Sequence, residues 1–587
     1  MKDFIKMVLA VICGVFIASV ICLFLFFGFL GSLAATDKPM IPKSGVLKVD
    51  LRSFAIGEQT KDASPLENMD PVSLLTGGTA SGRTLGIWDA VQAINAAAED
   101  PAVKYIYLLP CGNRSDVSAL EELRAALENF RTNSGKPIVS YLESFTTQEY
   151  YIASVADKIY LSSSVGIDTQ LNGIGTQMLF FGDLLKQFGI NVQLIRHGKY
   201  KSAGERYTRG NSSPENREQY QRLVDSIWET LGDKIAEARG LTRDQLDDLI
   251  EGLKLREPED CLEYGLVDEL VDPATLEDKL TAVAVADKYK DIKWISLSDY
   301  AAAKRPGPSK IRQKIAVIYA DGEIIDGSAK ANIAGDRFST LIDKVRADST
   351  VKAVVLRVNS PGGSVVASEK IKRALDRLQE DKPLVASYGS AAASGGYWIT
   401  NHCDKIFSDA TTLTGSIGVF GMVPDVSKAA KDFAHIGIET ITSHKHGDMY
   451  TMTRPLDTAE YGYMLAGIES VYDRFTTIVS EGRGIPKETV DAIGQGRVWT
   501  GADGIKINLV DEIGTLEDAV RYAAVAAGDG DLESWNIKAY PTPPSQMEQY
   551  MSLLGGKDDE ESILVSTFSK LTSPKTYARM DNDIRIR

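Results

Sequence analysis

Cysteine is scarce in this chain, which has five in 587 residues. Cys13 and Cys22 lie in an apolar N-terminal run, and Cys111, Cys261 and Cys403 are widely spaced. An odd and scattered set of this kind matches neither a disulfide framework nor a zinc pattern. We therefore expect buried, reduced thiols and no metal site.

Basic clusters and nucleotide-binding motifs are also missing. The formal net charge is −15, and no dense run of lysine and arginine interrupts the acidic balance, so we expect no nucleic-acid partner. Neither the phosphate-binding motif GxxxxGK[ST] nor a convincing GxGxxG motif occurs. The sequence therefore gives no support for ATP or dinucleotide chemistry, and we expect no cofactor.

Near the N-terminus, an apolar run from Met7 to Ala35 contains no charged residue. It exceeds the ~20 residues that span a bilayer and the roughly 7–15 of a signal-peptide apolar region, which favours a retained transmembrane helix. The ending SLAA from Ser32 also resembles a cleavage site, so removal of the run stays an alternative. Lys2 and Lys6 precede the run. This charge bias favours a single-pass protein of the cytoplasmic (inner) membrane, with the N-terminus inside and the remaining chain on the outer, periplasmic side.

Predicted strands and helices alternate along the rest of the chain, and the second half repeats the first. VKYIYLLPCG from Val103 reappears as VKAVVLRVNSPGG from Val351, and YYIASVADKIYL from Tyr150 reappears as YWITNHCDKIFS from Tyr397, at offsets of 248 and 247 residues. This pattern predicts an α/β fold that contains two copies of one domain, each with a mostly parallel sheet. We predict an N-terminus and anchor at 1–36, a first domain at 37–301, a linker at 302–312, a second domain at 313–530 and a C-terminal extension at 531–587.

The stretch SYGSAAASGGYWIT, from Ser387 to Thr400, places Ser394 at a predicted strand-to-helix turn. Small neighbours allow a substrate to come close there, and free amides at a helix N-terminus suit a developing oxyanion. The alternative is a tight packing turn without chemistry. The first copy has Thr147-Gln148-Glu149 where the second has Ser394-Gly395-Gly396. A packing role would suit both copies equally, so this difference favours Ser394 as a nucleophile.

A serine nucleophile needs a base that takes its proton. His402 lies about two turns from Ser394 on the predicted helix, and His444 and His446 flank a lysine in a predicted strand or loop. A Ser-His-Asp triad is one alternative. The other is a lysine whose pKa falls from ~10.4 towards 7–8 through burial, which costs roughly 4 kcal/mol. Lys201, in HGKYKSAGERY of the first copy, is the lysine that we select, although composition alone does not single it out.

Four motifs together resemble one family of proteases: SPGGS from Ser360, AASGGYW from Ala392, TLTGSIGVFG from Thr412 and YKSAGER from Tyr200. The chain resembles the signal peptide peptidase A (protease IV) family in its long, duplicated, membrane-anchored form, as far as the region of Gly530. The SPGG and Ala-Ala-Ser elements are also similar to those of the Clp proteolytic subunit. The resemblance implies a tandem duplication of a Clp-protease-like, crotonase-like spiral of ββα units, preceded by one N-terminal transmembrane helix, and a homotetramer.

A Ser/Lys dyad is what the resemblance implies for the chemistry. Ser394 matches the nucleophile, Lys201 the general base, and Ser416 a serine that orients the lysine amine. The backbone amides that match the oxyanion hole are those of Gly362, Gly363 and Gly395. The two dyad residues lie in different copies, and whether the dyad closes within one chain or between chains stays open.

Taken together, the patterns and the resemblance predict a membrane-bound serine endopeptidase without metal or nucleotide. Its expected substrates are cleaved signal peptides and other extended apolar segments, because a cleft dry enough to lower a lysine pKa is lined by apolar groups. Two alternatives remain: a crotonase-like enzyme that binds acyl-CoA, with Ser394 as a packing residue, and a catalytically inactive scaffold. The sequence contains no signal for the cleavage-site preference, the physiological substrates or the role of the C-terminal tail.

Overall fold

The structure is a computed structural model that describes residues 14, 39–61, 83–305, 309–330, 332–542 and 576–580. The predicted anchor, Met7 to Ala35, lies outside the described residues except for Gly14. Part of the predicted linker, residues 306–308, also lies outside them. No helix within the described ranges has both the length and the apolar character needed to cross a membrane.

The first half of the chain forms a parallel sheet with helices packed against it. Its strands are β1 (Gly45–Asp50), β2 (Phe54–Gly57), β3 (Arg83–Gly86), β4 (Val103–Leu109), β5 (Ile138–Leu142), β6 (Phe145–Thr146), β7 (Lys158–Ser162), β8 (Thr169–Gln170), β9 (Asn191–His197), β10 (Glu269–Val271) and β11 (Trp294–Ser296). Its helices are α1 (Ile87–Glu99), α2 (Val117–Ser134), α3 (Thr147–Ala153), α4 (Gly182–Gln187), α5 (Glu205–Thr208), α6 (Pro214–Arg239), α7 (Arg243–Glu251), α8 (Pro258–Glu263), α9 (Pro273–Ala284) and α10 (Leu297–Lys304).

The second half forms a similar set of elements. Its strands are β12 (Lys314–Asp321), β13 (Ile324–Ile325), β14 (Ile333–Ala334), β15 (Val351–Ser360), β16 (Gly362–Ser364), β17 (Leu384–Ala393), β18 (Lys405–Ser408), β19 (Leu413–Gly415), β20 (Val419–Asp425), β21 (Val498–Thr500), β22 (Glu512–Ile513), β23 (Asn536–Tyr540) and β24 (Thr576–Arg579). Its helices are α11 (Gly335–Ala347), α12 (Val365–Gln379), α13 (Gly395–Trp398), α14 (Ser427–Asp432), α15 (Thr458–Arg483), α16 (Lys487–Ile493), α17 (Gly501–Gly504) and α18 (Leu516–Ala526).

Both halves use the same order of strands. The first sheet runs β10-β7-β5-β4-β1-β11, and the second contains the matching order β22-β18-β17-β15-β12-β23, with every pairing along these two orders parallel. Central strands such as β12 and β15 are almost entirely buried because helices cover both faces, which explains their continuous apolar runs. The predicted α/β fold and its duplication are therefore confirmed.

Two strands of the second half lie beyond residue 530, where we predicted that the second domain ends. Strand β23 pairs with β12 at the edge of the second sheet, and β24 enters a third sheet. Part of the predicted extension therefore belongs to the folded body.

The third sheet joins the two copies and positions the site. Its order is β14-β13-β16-β24-β20-β9, so it takes β9 from the first copy and the other strands from later in the chain. Strands β9 and β20 pair antiparallel from Asn191 opposite Asp425 to His197 opposite Val419. This pairing brings the residues that follow β9 against the second copy.

A buried ion network also links the copies. Arg357 of β15 is 1% exposed, and its guanidinium lies 2.7 Å from a Glu58 carboxylate oxygen and 2.6 Å from a Glu122 carboxylate oxygen, both contributed by the first copy. A buried charge is costly unless it is paired and hydrogen-bonded. We therefore expect the network to favour one relative arrangement of the two copies.

Candidate active site

Ser394 lies at the end of β17, where the chain turns into the single-turn helix α13. Its backbone has φ +55° and ψ −112°, an unusual conformation for a residue other than glycine that costs on the order of 1–3 kcal/mol. The Ser394 amide donates to the carbonyl of Gly415 at 2.8 Å, and its own carbonyl accepts from the Trp398 amide at 2.7 Å. These bonds hold the strained turn and fix the direction of the serine side chain.

Lys201 lies just after β9, in the loop that the third sheet brings to the second copy. The Tyr200 amide donates to the Gln495 carbonyl at 3.0 Å, and the Gln219 side chain donates to the Tyr200 carbonyl at 3.1 Å. A side-chain carbon on Gly496 would lie 2.5 Å from the Cβ of Lys201. Only glycine leaves room there, so the lysine packs directly on the backbone of the second copy.

The side chains of the predicted dyad, Lys201 and Ser394, and of Ser416, which we expected to orient the lysine, lie together within one chain. The Nζ of Lys201 lies 2.9 Å from the Oγ of Ser394, 3.0 Å from the Oγ of Ser416 and 3.1 Å from the carbonyl oxygen of Ser416. All three residues are at most 1% exposed. Burial lowers the pKa of the Lys201 amine well below its usual value because a charged amine loses its hydration there. A neutral amine beside a serine hydroxyl can act as a general base.

The predicted oxyanion glycines converge beside Ser394. Gly362 and Gly363 of β16 have φ +96° and +157°, conformations that favour glycine. A side-chain carbon on Gly362 would lie 2.6 Å from the Gly395 amide nitrogen, and one on Gly395 would lie 3.1 Å from the Gly363 amide nitrogen. The Gly363 and Gly395 amides thus lie close together beside Ser394, an arrangement that suits the stabilisation of a tetrahedral oxyanion.

Strand β24 is a part of the site that sequence reasoning missed. It pairs antiparallel with β16, where Ala578 lies opposite Gly363, and antiparallel with β20, where Tyr577 lies opposite Phe420. Arg579 and Met580 line a pocket together with Lys201. The tail carries no protease motif, so only the folded chain reveals this position.

Histidines do not surround the dyad in the way that a triad requires. A ring nitrogen of His197 lies 2.6 Å from a carboxylate oxygen of Glu469. A ring nitrogen of His402 lies 2.7 Å from a carboxylate oxygen of Asp376. The helix after Ser394 ends at Trp398, so His402 does not belong to it. The contacts of Ser394 therefore favour the lysine over the histidine alternative.

One cluster in the described part of the chain has metal-ligating groups, and it lies outside this site. The ligand atoms of His446, Asp457 and Glu460 lie within 4.8 Å of one another. The guanidinium of Arg454 already bridges Glu460, with two N–O distances of 2.7 Å. Because a cation of the protein itself balances this carboxylate, the cluster supports no metal assignment.

Comparisons with known proteins find relatives over most of the chain. The model of Peptidase family S49 matches residues 131–288 and again 376–528. Protease 4 of Haemophilus influenzae is 34% identical over 461 residues, which cover 75% of this chain and 73% of that protein. The chloroplastic serine protease SPPA of Arabidopsis thaliana is 31% identical over 473 residues, which cover 78% of this chain and 68% of that protein. Among solved structures, a ClpP1 mutant from Listeria monocytogenes matches 35% of this chain and 94% of its own chain, at a TM-score of 0.24 and 15% identity.

Proposed function

Because this chain belongs to peptidase family S49 and is a serine endopeptidase, we propose that Lys201 activates Ser394 and that the enzyme degrades cleaved signal peptides and other extended apolar segments at a membrane. The observation that carries this proposal is the distance of 2.9 Å between the buried Lys201 Nζ and the Ser394 Oγ. Both residues come from one chain, so the proposed dyad closes within the chain.

Proton transfer starts from a neutral Lys201 amine, which has two N–H groups and one lone pair. The N–H groups donate to the carbonyl oxygen and the Oγ of Ser416, at 3.1 and 3.0 Å. The lone pair is then left for the hydroxyl of Ser394. Ser416 acts as the positioning residue because it fixes the direction of the amine.

Acylation follows when the Ser394 Oγ attacks a peptide carbonyl and its proton passes to Lys201. The amides of Gly363 and Gly395, with the backbone around Gly362, stabilise the oxyanion. The Lys201 ammonium then protonates the leaving amine as the C–N bond breaks. A water molecule, deprotonated by the lysine, hydrolyses the acyl-enzyme and restores Ser394.

Extended apolar peptides are the substrate class that we propose. Strands β16 and β20 both pair with the chain's own strand β24 beside Ser394. An extended peptide that took the place of β24 would make the same main-chain bonds, which do not depend on sequence. Folded proteins present few extended segments of this kind. Cleaved signal peptides combine apolar character with an extended, unfolded backbone, and the resemblance of the four motifs supports this choice.

Membrane attachment is the second part of the proposal. The uncharged run from Met7 to Ala35, preceded by Lys2 and Lys6, supports a single-pass anchor in the cytoplasmic membrane with the catalytic domains on the outer side. Sodium carbonate extraction of membranes tests it. The full-length protein should stay in the membrane pellet, and a variant without residues 1–36 should be released. Release of both would contradict the anchor.

We also propose a homotetramer, as the family resemblance implies. Every residue from 431 to 447 is exposed, including Ile436, Ile438 and Ile441, which are 56%, 45% and 91% exposed. HGDM from His446 corresponds to HGKY from His197, and in the first copy the residues before this motif form the paired strand β9. An exposed segment that carries these apolar side chains supports contact with a neighbouring chain.

Sedimentation analysis tests the assembly. Replacing Ile438 by aspartate should shift the protein from tetramer to smaller species, because a carboxylate would be buried in the interface. Replacing Val525 by aspartate is the matched control, because this exposed valine lies on α18, away from the segment. An unchanged tetramer in the Ile438 variant would contradict the proposed contact.

Activity-based labelling tests the dyad. A fluorophosphonate probe should label the wild-type protein and neither Ser394→Ala nor Lys201→Ala at pH 7. Lys199→Ala is the matched control, because Lys199 is exposed and lies two residues from Lys201, and it should be labelled normally. Labelling that persists in Ser394→Ala would remove the nucleophile assignment. Full peptidase activity in Lys201→Ala would remove the base.

A further inference from the structure

Gln219 lies on helix α6 of the first copy and is 1% exposed. Its side-chain Nε2 lies 3.1 Å from the carbonyl oxygen of Tyr200 and 3.0 Å from the Oγ of Ser202. These two residues stand on either side of Lys201 in the chain. The Oε1 of Gln219 accepts from the Val498 amide at 3.3 Å. One buried side chain therefore connects the chain around the proposed base to strand β21 of the second copy.

The surroundings of this side chain use both ends of its amide group. Three oxygen atoms lie near its nitrogen, because the Oδ1 of Asn216 lies 3.0 Å away in addition to the Tyr200 and Ser202 atoms. Its oxygen faces a backbone N–H group. An amide side chain provides donors and an acceptor at the same time, and an apolar side chain of similar length provides neither.

Strand β21 supports the serine side of the dyad. Val498 lies opposite Gly415 in the pairing of β21 with β19. The Gly415 carbonyl accepts from the Ser394 amide at 2.8 Å. The Arg497 carbonyl, one residue before Val498, accepts from the Ser416 amide at 2.7 Å. The contact with Val498 therefore ends at the strand that holds both Ser394 and Ser416 in place.

Helix α6 is docked on the second copy along one face, which gives Gln219 a fixed base. Arg222 and Ser226 follow Gln219 at the spacing of neighbours on one side of a helix. The Arg222 guanidinium lies 2.7 Å from an Asp503 carboxylate oxygen. The Oγ of Ser226 lies 2.7 Å from the Oγ1 of Thr500 in β21. The helix thus holds Gln219 at a set distance from β21.

The chain at Lys201 depends on contacts of this kind, because residues 201 and 202 belong to no helix or strand. Arg196 donates to the Lys201 carbonyl at 2.6 Å, but Arg196 belongs to β9 of the first copy and this contact stays within that copy. Gln219 contacts the residues beside the lysine and the second copy together. It therefore affects the distance between the two halves of the dyad.

We propose that Gln219 is a positioning residue for the dyad and holds the Lys201 amine within hydrogen-bond distance of Ser394. The inference rests on the proposed function of these two residues. Without the contacts of Gln219, the chain around Lys201 moves away from β21 and water reaches the amine. Burial is the cause that lowers the pKa of Lys201, so added water raises that pKa again. The amine then binds a proton more readily and lies farther from the hydroxyl.

Hydrolysis of an apolar fluorogenic peptide by the full-length protein, followed across neutral and alkaline pH, tests this role. Gln219→Met keeps an apolar stem of similar length and removes every hydrogen bond of the amide. It should lower kcat by about tenfold or more with little change in KM, because a displaced catalytic group slows the chemical step. The pH at which kcat rises should move upward by at least about half a unit. Gln221→Met is the matched control, because Gln221 lies on the exposed side of α6 and bonds to Asp225, and it should match the wild type in both quantities.

A second substitution keeps the size of the side chain. Gln219→Glu retains the acceptor for the Val498 amide, but its carboxylate has no N–H group for the Tyr200 carbonyl and favours a charged amine nearby. It should move the rise of kcat to a higher pH than Gln219→Met does. This variant decides the question alone if Gln219→Met does not fold. Fluorophosphonate labelling counts the active sites in each sample, so that a smaller folded fraction is not counted as a lower kcat.

Three results would overturn the positioning role and leave the proposed function intact. They are a wild-type kcat in both variants, a lower kcat without any shift of the pH profile, and failure of both variants to fold. The second result would mean that the surroundings of the amine are unchanged, and the third that Gln219 serves the fold as a whole. Full activity in Lys201→Ala would overturn the proposed function and the inference with it.

Discussion

Replacement of Lys201 by methionine should abolish catalysis and remove a pH-dependent cost from the folded protein. Lys201 is 1% exposed, and burial is the cause that lowers its pKa. The folded chain therefore holds the amine without a proton at pH values where the unfolded chain, with an ordinary pKa of about 10.4, still binds one. In that window the wild-type free energy of unfolding should rise by about 1.4 kcal/mol per pH unit relative to the variant.

The size of the effect follows from the width of this window. The cost amounts to about 1.4 kcal/mol for each pH unit between the lowered pKa of the folded chain and the ordinary value of about 10.4, and it disappears above that value. The variant also loses the three contacts of Nζ with Ser394 and Ser416, and each hydrogen bond contributes about 0.5–1.5 kcal/mol. The free energy of unfolding at a single pH contains both effects, which have opposite signs. Its change with pH reports only the titration of the Lys201 amine.

Urea unfolding of the full-length protein at pH 7, 8, 9 and 10 measures this slope. The stability difference between wild type and Lys201→Met should shift steadily in favour of the wild type as the pH rises. Lys199→Met, which replaces an exposed lysine, should show no such trend. The wild-type kcat/KM should rise over the pH range in which the amine loses its proton. If the free energy of unfolding changes with pH by the same amount in the wild type and in Lys201→Met, the argument that burial keeps this lysine neutral is refuted.

Three further substitutions test other parts of the structure. Ser416→Ala should lower kcat by about 10- to 100-fold with little change in KM, because the amine loses the Ser416 hydroxyl and keeps only the backbone carbonyl of that residue to orient it. An unchanged kcat would contradict that role. Arg357→Met should cost about 3–5 kcal/mol in unfolding free energy because it leaves two buried carboxylates unpaired. Arg373→Met removes an exposed arginine from an ion pair and should change the free energy of unfolding by less than about 0.5 kcal/mol. Equal losses in Arg357→Met and Arg373→Met would contradict the buried network. Gly363→Ala should lower kcat by about 100-fold or more, because the added carbon collides with the neighbouring strand and displaces the oxyanion amides. Gly462→Ala, in open space on α15, should retain full activity, and similar losses in both would show a general effect of the added methyl group.

The turn at Ser394 and the duplication could be predicted because their signals are local. Small residues around Ser394 predict a turn, and a turn depends only on a short segment. The first copy has Thr147 at the matching position, and this difference identifies Ser394 as the candidate nucleophile. The mostly parallel sheet of each copy followed from the alternation of strands and helices, because a βαβ crossover connects parallel strands. The helix after Ser394 was predicted too long, because the turn ends at Trp398 and the chain then folds back towards β18.

The lysine could be selected from the sequence only through the resemblance. A lysine pKa depends on burial, and burial of Lys201 comes from the backbone around Gly496 and from Ser416, both more than two hundred residues away in the chain. No spacing rule links positions so far apart. Arg357, which joins Glu58 and Glu122 across the copies, had no sequence signal for the same reason.

The amino-acid sequence alone determined the α/β class, the duplication and the serine turn, because each depends on patterns within one element or one repeat. The tertiary structure alone decided that Lys201 and Ser394 meet within one chain and that the C-terminal strand lies across Gly362 and Gly363. Both depend on the third sheet, in which β9, β16, β20 and β24 pair over long sequence separations. Hydrogen bonds between strands are chemically alike, so the partner of a strand is decided by the packing of the whole chain and not by its own residues.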